Sequence, residues 1–158
     1  MNTYEKRRAW SDPFLPEVKE LLGKFLIKNA DFKTDCEEAT DLIVKPASIS
    51  VRGRKYDSYL KYPNDITFRL DCAKGICEWD KVINKEYVDL MFYFFADPTD
   101  KKIQAYRIID LHNFAYQWYN EKENVKFEDM TNKDGTRLRC VDSTTLKKDS
   151  VILCDRRK

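Results

Sequence analysis

Residues 90–96 read LMFYFFA, the longest uninterrupted apolar run in this chain of 158 residues. The run has the length of a β-strand and is far shorter than the roughly 20 apolar residues that a membrane-spanning helix needs. A strand that is apolar at every position is typically buried on both faces. We therefore expect residues 87–96 to form the central strand of a sheet, and we expect no membrane-spanning segment.

The segments that precede this run predict three further strands, at residues 42–44, 49–56 and 66–70. Short loops that contain proline and polar residues separate them, as in consecutive antiparallel strands. Alternation in the second strand places Ser50, Arg52 and Arg54 on one face. We expect these three strands to form an antiparallel meander within the same sheet.

Helical spacing of apolar residues predicts a helix at 16–29 and a second helix that begins after Asp110, which suits a helix N-cap. A short helix at 77–87 and strands at 103–109, 138–141 and 151–153 complete the pattern, with a turn at 132–135. The predicted fold is α+β, with a mixed sheet and flanking helices. We expect residues 1–158 to form a single domain, a length typical of one domain.

The composition favours a folded, cytoplasmic protein. Hydrophobic residues make up 42% of the chain, charged residues 35% and aromatic residues 13%; because disordered chains contain few aromatic residues, we expect a folded chain. The basic N-terminal residues are not followed by an apolar segment, so no signal peptide is predicted. Five cysteines are present, and an odd number without an export signal favours free thiols over disulfides. A zinc site at Cys72, Cys77, Cys140 and Cys154 is the less favoured alternative, since the spacing is not typical of one.

The charges are unevenly distributed although the net charge is only +2. Residues 34–41 contain four acids and no base, and the following segment is basic, with Arg52, Arg54, Lys55 and Lys61. Carboxylates bind Mg²⁺ as hard oxygen ligands. The metal activates a water, and a nearby cation stabilises the charge that develops on a phosphate. Glu78 and Lys81 lie one helical turn apart, so this pattern suits phosphodiester chemistry.

The order of elements resembles that of the PD-(D/E)XK nuclease superfamily, whose fold is that of restriction endonucleases. The stretches that carry the resemblance begin at Asp41 (DLIV), Ile49 (ISVRGRKY), Asp65 (DITFR) and Glu78 (EWDK). Together the residue pattern and the resemblance imply three sets of site residues. The catalytic set is Asp41, Glu78, Lys81 and Arg54; the Mg²⁺ or Mn²⁺ ligands are Asp41, Glu38, Asp35 and Glu78; the nucleic-acid contacts are Arg52, Arg54, Lys55 and Arg69.

The second strand departs from the family pattern, because Arg52-Gly53-Arg54 carries no carboxylate. An arginine stays protonated and cannot act as a base, so a further metal ligand must come from Glu78 or Asp65. Two functions therefore stay open: a metal-dependent nuclease acting on DNA, and a catalytically silent relative that binds nucleic acid or a host protein, such as a phage inhibitor of host defence. The sequence leaves the oligomeric state open.

Each candidate also has a purely structural interpretation. Arg52 and Arg54 could form salt bridges with neighbouring acids, Glu78 and Lys81 could be an ordinary surface pair, and Asp41 could cap a turn. His112 is the only histidine, and its place in the helix after Asp110 favours a structural role.

Overall fold

The computed structural model describes residues 3–29, 42–44, 47–71 and 75–156. The chain divides into two compact units, Met1–Ala47 and Ser48–Lys158. In the part of the chain that the structure describes, no helix is both long and apolar enough to cross a membrane.

The first unit contains two helices and a small antiparallel ladder. Helix α1 (Thr3–Ser11) is followed by a 3₁₀ turn (Asp12–Phe14) and by α2 (Leu15–Leu26). Pro16 lies in the first turn of α2, where its missing N–H costs nothing. The helix predicted at 16–29 is thus confirmed up to Leu26. The chain then extends as strand β1 (Ile27–Asn29), which pairs with β2 (Leu42–Val44).

The second unit is built around a four-stranded mixed sheet in the order β3-β5-β6-β9. Its strands are β3 (Ile49–Arg54), β5 (Leu90–Ala96), β6 (Ile103–Asp110) and β9 (Val151–Arg156). Strands β3 and β5 are parallel, whereas β5 pairs with β6, and β6 with β9, in antiparallel orientation. Every residue of β5 is buried, so the central strand predicted from the apolar run is confirmed.

A three-stranded antiparallel sheet in the order β4-β8-β7 lies in the same unit. It comprises β4 (Asp65–Arg69), β7 (Phe127–Thr131) and β8 (Arg137–Asp142). The predicted turn at 132–135 joins β7 to β8: the N–H of Gly135 donates to the Asn132 carbonyl at 2.9 Å. Gly135 has a φ of +81°, a left-handed conformation that glycine adopts without strain.

The α+β class with a mixed sheet is confirmed, but the predicted meander is wrong. Strands β2, β3 and β4 belong to three different sheets. Strand β3 pairs in parallel with β5, from Ile49 opposite Leu90 to Arg54 opposite Phe95, and β4 pairs with β8. The physical reason is that alternation within a strand determines only which of its faces is buried. Which other strand becomes its hydrogen-bonding partner depends on how the whole sheet is buried.

Three helices complete the second unit: α3 (Tyr56–Lys61), α4 (Glu78–Ile83) and α5 (Leu111–Glu121). Asp110 caps α5 as predicted, because its carboxylate accepts the N–H of Asn113 at 2.9 Å. Helix α3 begins where the sequence predicted the end of a strand. The core joins both sheets to α4 and α5: Phe68 of β4 stacks on Phe114 of α5 with ring centroids 5.2 Å apart.

Candidate functional site

The polar face of β3 points into the second unit and meets strand β4. Arg52 and Arg54 lie on this face, as the alternation predicted. The Nη1 of Arg52 donates to the Thr67 carbonyl at 2.6 Å, and the Nη2 of Arg54 donates to the Thr67 hydroxyl. Because Thr67 belongs to β4, the two arginines connect the four-stranded sheet to the three-stranded one.

Arg52 forms an ion pair with Glu78, the first residue of α4. Their side chains are only 20% and 10% exposed, respectively. The second oxygen of Glu78 accepts the backbone N–H of Arg69 at 2.9 Å. Both carboxylate oxygens of Glu78 are therefore engaged within the protein, and the charge of Arg52 is balanced by a largely buried partner.

Arg54 has a different environment, since its partners are hydroxyl groups. Its Nε donates to the Tyr93 hydroxyl at 3.1 Å and its Nη2 to Thr67 Oγ1. The two hydroxyl oxygens lie 3.3 Å apart, so Tyr93 and Thr67 together hold the Nε–Nη2 edge of the guanidinium group. Among the described residues no carboxylate forms a salt bridge with Arg54.

Arg54 lines a pocket with a volume of about 140 Å³. Residues from β3, α3, β4, β5, β7 and β8, and from the turn after β7, meet at this pocket. The polar lining residues are Arg54, Ser58, Tyr62, Asp65, Thr67, Tyr93 and Asn132; the less polar ones are Phe95, Met130, Leu138 and Cys140. The pocket therefore combines a cationic residue, an acidic residue and apolar walls.

Asp65 is the acidic group of the pocket. Burial raises its pKa, and Asp142, directly opposite in the β4–β8 register, raises it further, while Arg107 acts in the other direction. Its carboxyl group receives no hydrogen bond from the residues that the structure describes. Burial also raises the pKa of Cys140 to about 11, so the thiol stays neutral at physiological pH and is a poor nucleophile.

The structure does not bring all of the other predicted site residues to the pocket at Arg54. Asp35, Glu38 and Asp41 lie outside the described residues, so the metal site built on them stays a prediction. Lys55 and Lys81 are exposed, as is Arg69. Within the described ranges, no three His, Cys, Asp or Glu side chains lie together in a group able to hold a metal ion. In the same ranges Cys77, Cys140 and Cys154 are free thiols.

His112 is exposed on α5 and bonds to Asp89, with 3.1 Å between Nε2 and Oδ1. Asp89 also accepts the N–H and the hydroxyl of Ser48, each at 2.7 Å. The hydrogen bonds from Ser48, followed by that from His112, lower the pKa of Asp89 to about 2. These bonds tie together the beginnings of β3, β5 and α5, which fits the structural role favoured for His112.

The comparisons with known proteins leave the resemblance to the nuclease superfamily untested. No protein-family model, no curated protein and no solved structure matches the chain.

Sequence reasoning identified Arg54 and Asp65 but missed the residues that complete the pocket. Tyr93 lies inside the apolar run 90–96, and its hydroxyl was the available signal, because a buried tyrosine hydroxyl usually has a hydrogen-bond partner. Thr67 offers a similar signal, as a polar residue between buried Ile66 and Phe68. The sequence around Cys140 gave no signal that this residue lines the pocket.

Proposed function

We propose that this protein binds nucleic acid, and that Arg54 contacts a phosphate group of the bound strand. The observation that carries the proposal is the environment of Arg54: two hydroxyl groups orient its guanidinium group, and no carboxylate of the described residues forms a salt bridge with it. A guanidinium group has five N–H donors, of which these bonds use two. The remaining donors suit the oxygens of a phosphate, which arginine binds in a bidentate manner.

The residues near Arg54 in the chain add positive charge. Lys55 follows Arg54 directly and Lys61 ends α3, and both side chains are exposed. Flexible exposed lysines attract a polyanion without reading its sequence. Arg54 then supplies an oriented phosphate contact, and the flexible lysines supply less specific ones; both kinds of contact weaken as the salt concentration rises.

The geometry favours binding over hydrolysis. A nuclease of the expected type would use Glu78 as a metal ligand, yet Glu78 is bonded to Arg52 and to the backbone of Arg69. A metal could take Glu78 only by displacing both partners, which would leave Arg52 largely buried without its counter-charge. Removing one partner of a buried pair is costly.

The test is a salt titration of binding to a fluorescently labelled oligonucleotide, for the wild type and for Arg54→Gln. We expect Arg54→Gln to weaken binding and to reduce the slope of log K against log salt by about one, the value for one lost phosphate contact. Lys148→Gln is the matched control: Lys148 is exposed and precedes Ser150, which bonds to Asp110 at the opposite end of the sheet from Arg54.

Equal slopes for the wild type and Arg54→Gln would refute the phosphate contact. Plasmid DNA tests the nuclease function separately. If Mn²⁺ produces nicking that Asp41→Ala abolishes, the protein is an enzyme and the binding function proposed here is incomplete.

A further inference from the structure

We propose that the pocket at Arg54 holds one guanine base of a single-stranded nucleic acid, and that Asp65 is the residue that recognises it. The inference rests on the proposed function, since it names the base that accompanies the phosphate at Arg54. It depends on the size of the pocket, on its walls and on the hydrogen-bonding groups that face it.

The size and walls of the pocket suit a flat ring. A volume of about 140 Å³ has room for several water molecules. Phe95 and Leu138 provide buried apolar surface, and Tyr62 is 48% exposed at the pocket. Aromatic rings beside a basic group are the usual platform for unpaired bases.

The carboxyl group of Asp65 selects among the bases. It is partly buried and lies opposite Asp142 in the β4–β8 ladder, so a ligand that donates hydrogen bonds to it relieves an unfavourable environment. Guanine presents two adjacent donors, the ring N1–H and the 2-amino group, which match the two oxygens of a carboxylate. Adenine and cytosine present a single amino group, and thymine presents one N–H between two carbonyl oxygens that repel a carboxylate.

Arg54 completes the match on the neighbouring edge of the base. The O6 carbonyl of guanine lies next to N1–H and accepts hydrogen bonds, and arginine is its most common protein partner. Arg54 retains donors beyond those given to Tyr93 and Thr67. One guanidinium group can thus contact the base and the adjacent phosphate.

The bound strand must be single-stranded at this position. In a duplex, N1–H and the 2-amino group of guanine pair with cytosine and cannot reach a carboxylate. Proteins that read this edge act on unpaired or extruded bases.

The experiment compares labelled oligo(dT) strands that carry one central guanine, hypoxanthine, adenine or thymine. Hypoxanthine lacks only the 2-amino group, so it removes one of the two hydrogen bonds to Asp65. For the wild type we expect the guanine strand to bind about 5- to 150-fold more tightly than the adenine strand, the range of one bidentate base contact, with hypoxanthine between them. Asp65→Asn should abolish this preference and retain binding to the plain thymine strand. Glu123→Gln, at an exposed site after α5, is the matched control and should keep the preference.

Three results would overturn the inference, and they differ in what else they affect. Equal binding of all four strands by the wild type refutes the base contact and leaves the phosphate contact at Arg54 intact. A guanine preference that survives Asp65→Asn assigns recognition to another residue. Absence of binding to every strand refutes the proposed function itself. The wild-type series needs no variant, so the first and third results do not depend on how Asp65→Asn folds.

Discussion

Replacement of Glu78 by glutamine keeps the shape of the side chain and removes its charge. In the wild type this charge balances Arg52, and the two side chains are 10% and 20% exposed. Water therefore screens the pair only weakly. Glutamine can still accept the N–H of Arg69, but it leaves the Arg52 guanidinium largely buried without a counter-charge.

The size of the effect follows from this geometry. Breaking a fully buried ion pair by removing one partner costs about 3–5 kcal/mol. Because glutamine retains part of the hydrogen bonding, we expect Glu78→Gln to lower the free energy of unfolding by about 2–3 kcal/mol. For a chain of this length, each kcal/mol shifts the melting temperature by about 2–4 °C. The expected decrease is thus about 4–12 °C.

Thermal unfolding of the metal-free protein, followed by circular dichroism, measures this shift. Glu86→Gln is the control, because Glu86 is exposed just after α4, and surface substitutions of this kind usually stay within about 0.5 kcal/mol. An increase in melting temperature for Glu78→Gln would refute the reasoning. It would mean that repulsion from other carboxylates outweighs the pair with Arg52, as expected for a metal site without its metal.

Three further predictions concern stability. The pKa of Asp89 is lowered to about 2, below the usual value of about 3.9. The ionised Asp89 therefore stabilises the folded protein fully above about pH 4, and this stabilisation is lost as the pH falls towards 2. The difference in melting temperature between the wild type and Asp89→Asn should shrink over that interval, and a constant difference would contradict this. Gly135→Ala places a side chain at φ +81° and should cost about 1–3 kcal/mol in urea unfolding, although the added Cβ meets no atom within 4 Å. Phe114→Ala removes a fully buried ring that stacks on Phe68 and should cost about 3–5 kcal/mol, so a loss below 1 kcal/mol would show that this cluster is not part of the stabilising core.

The features that the sequence predicted correctly are those that depend on neighbouring residues. The run at residues 90–96 is apolar at every position, so it is buried on both faces wherever it lies in a sheet. Asp110 caps α5 through a bond to Asn113, only three residues further along the chain. The alternation in β3 correctly placed Arg52 and Arg54 on one face. Each of these properties is local, so a short stretch of sequence determines it.

The partners of the strands and the members of the pocket depend on distant residues. Strand β3 lies beside β5, and the intervening segment contains α3, β4 and α4; nothing within β3 specifies that arrangement. The pocket draws Arg54, Asp65, Tyr93 and Cys140 from four separate strands. Glu78 was expected to bind a metal because its own segment does not show that Arg52 would be its neighbour.

Among the strands that the structure describes, β3 lies at the edge of its sheet, with β5 as its partner. Edge strands usually fray, and their amide protons exchange with solvent faster than those of central strands. Here the side chains of Arg52 and Arg54 also bond to Thr67 of β4, so β3 is held by a second strand besides its ladder with β5. We therefore expect this edge to fray less than an edge strand held by its ladder alone, with the amide protons that β3 shares with β5 exchanging as slowly as those of the β5–β6 ladder.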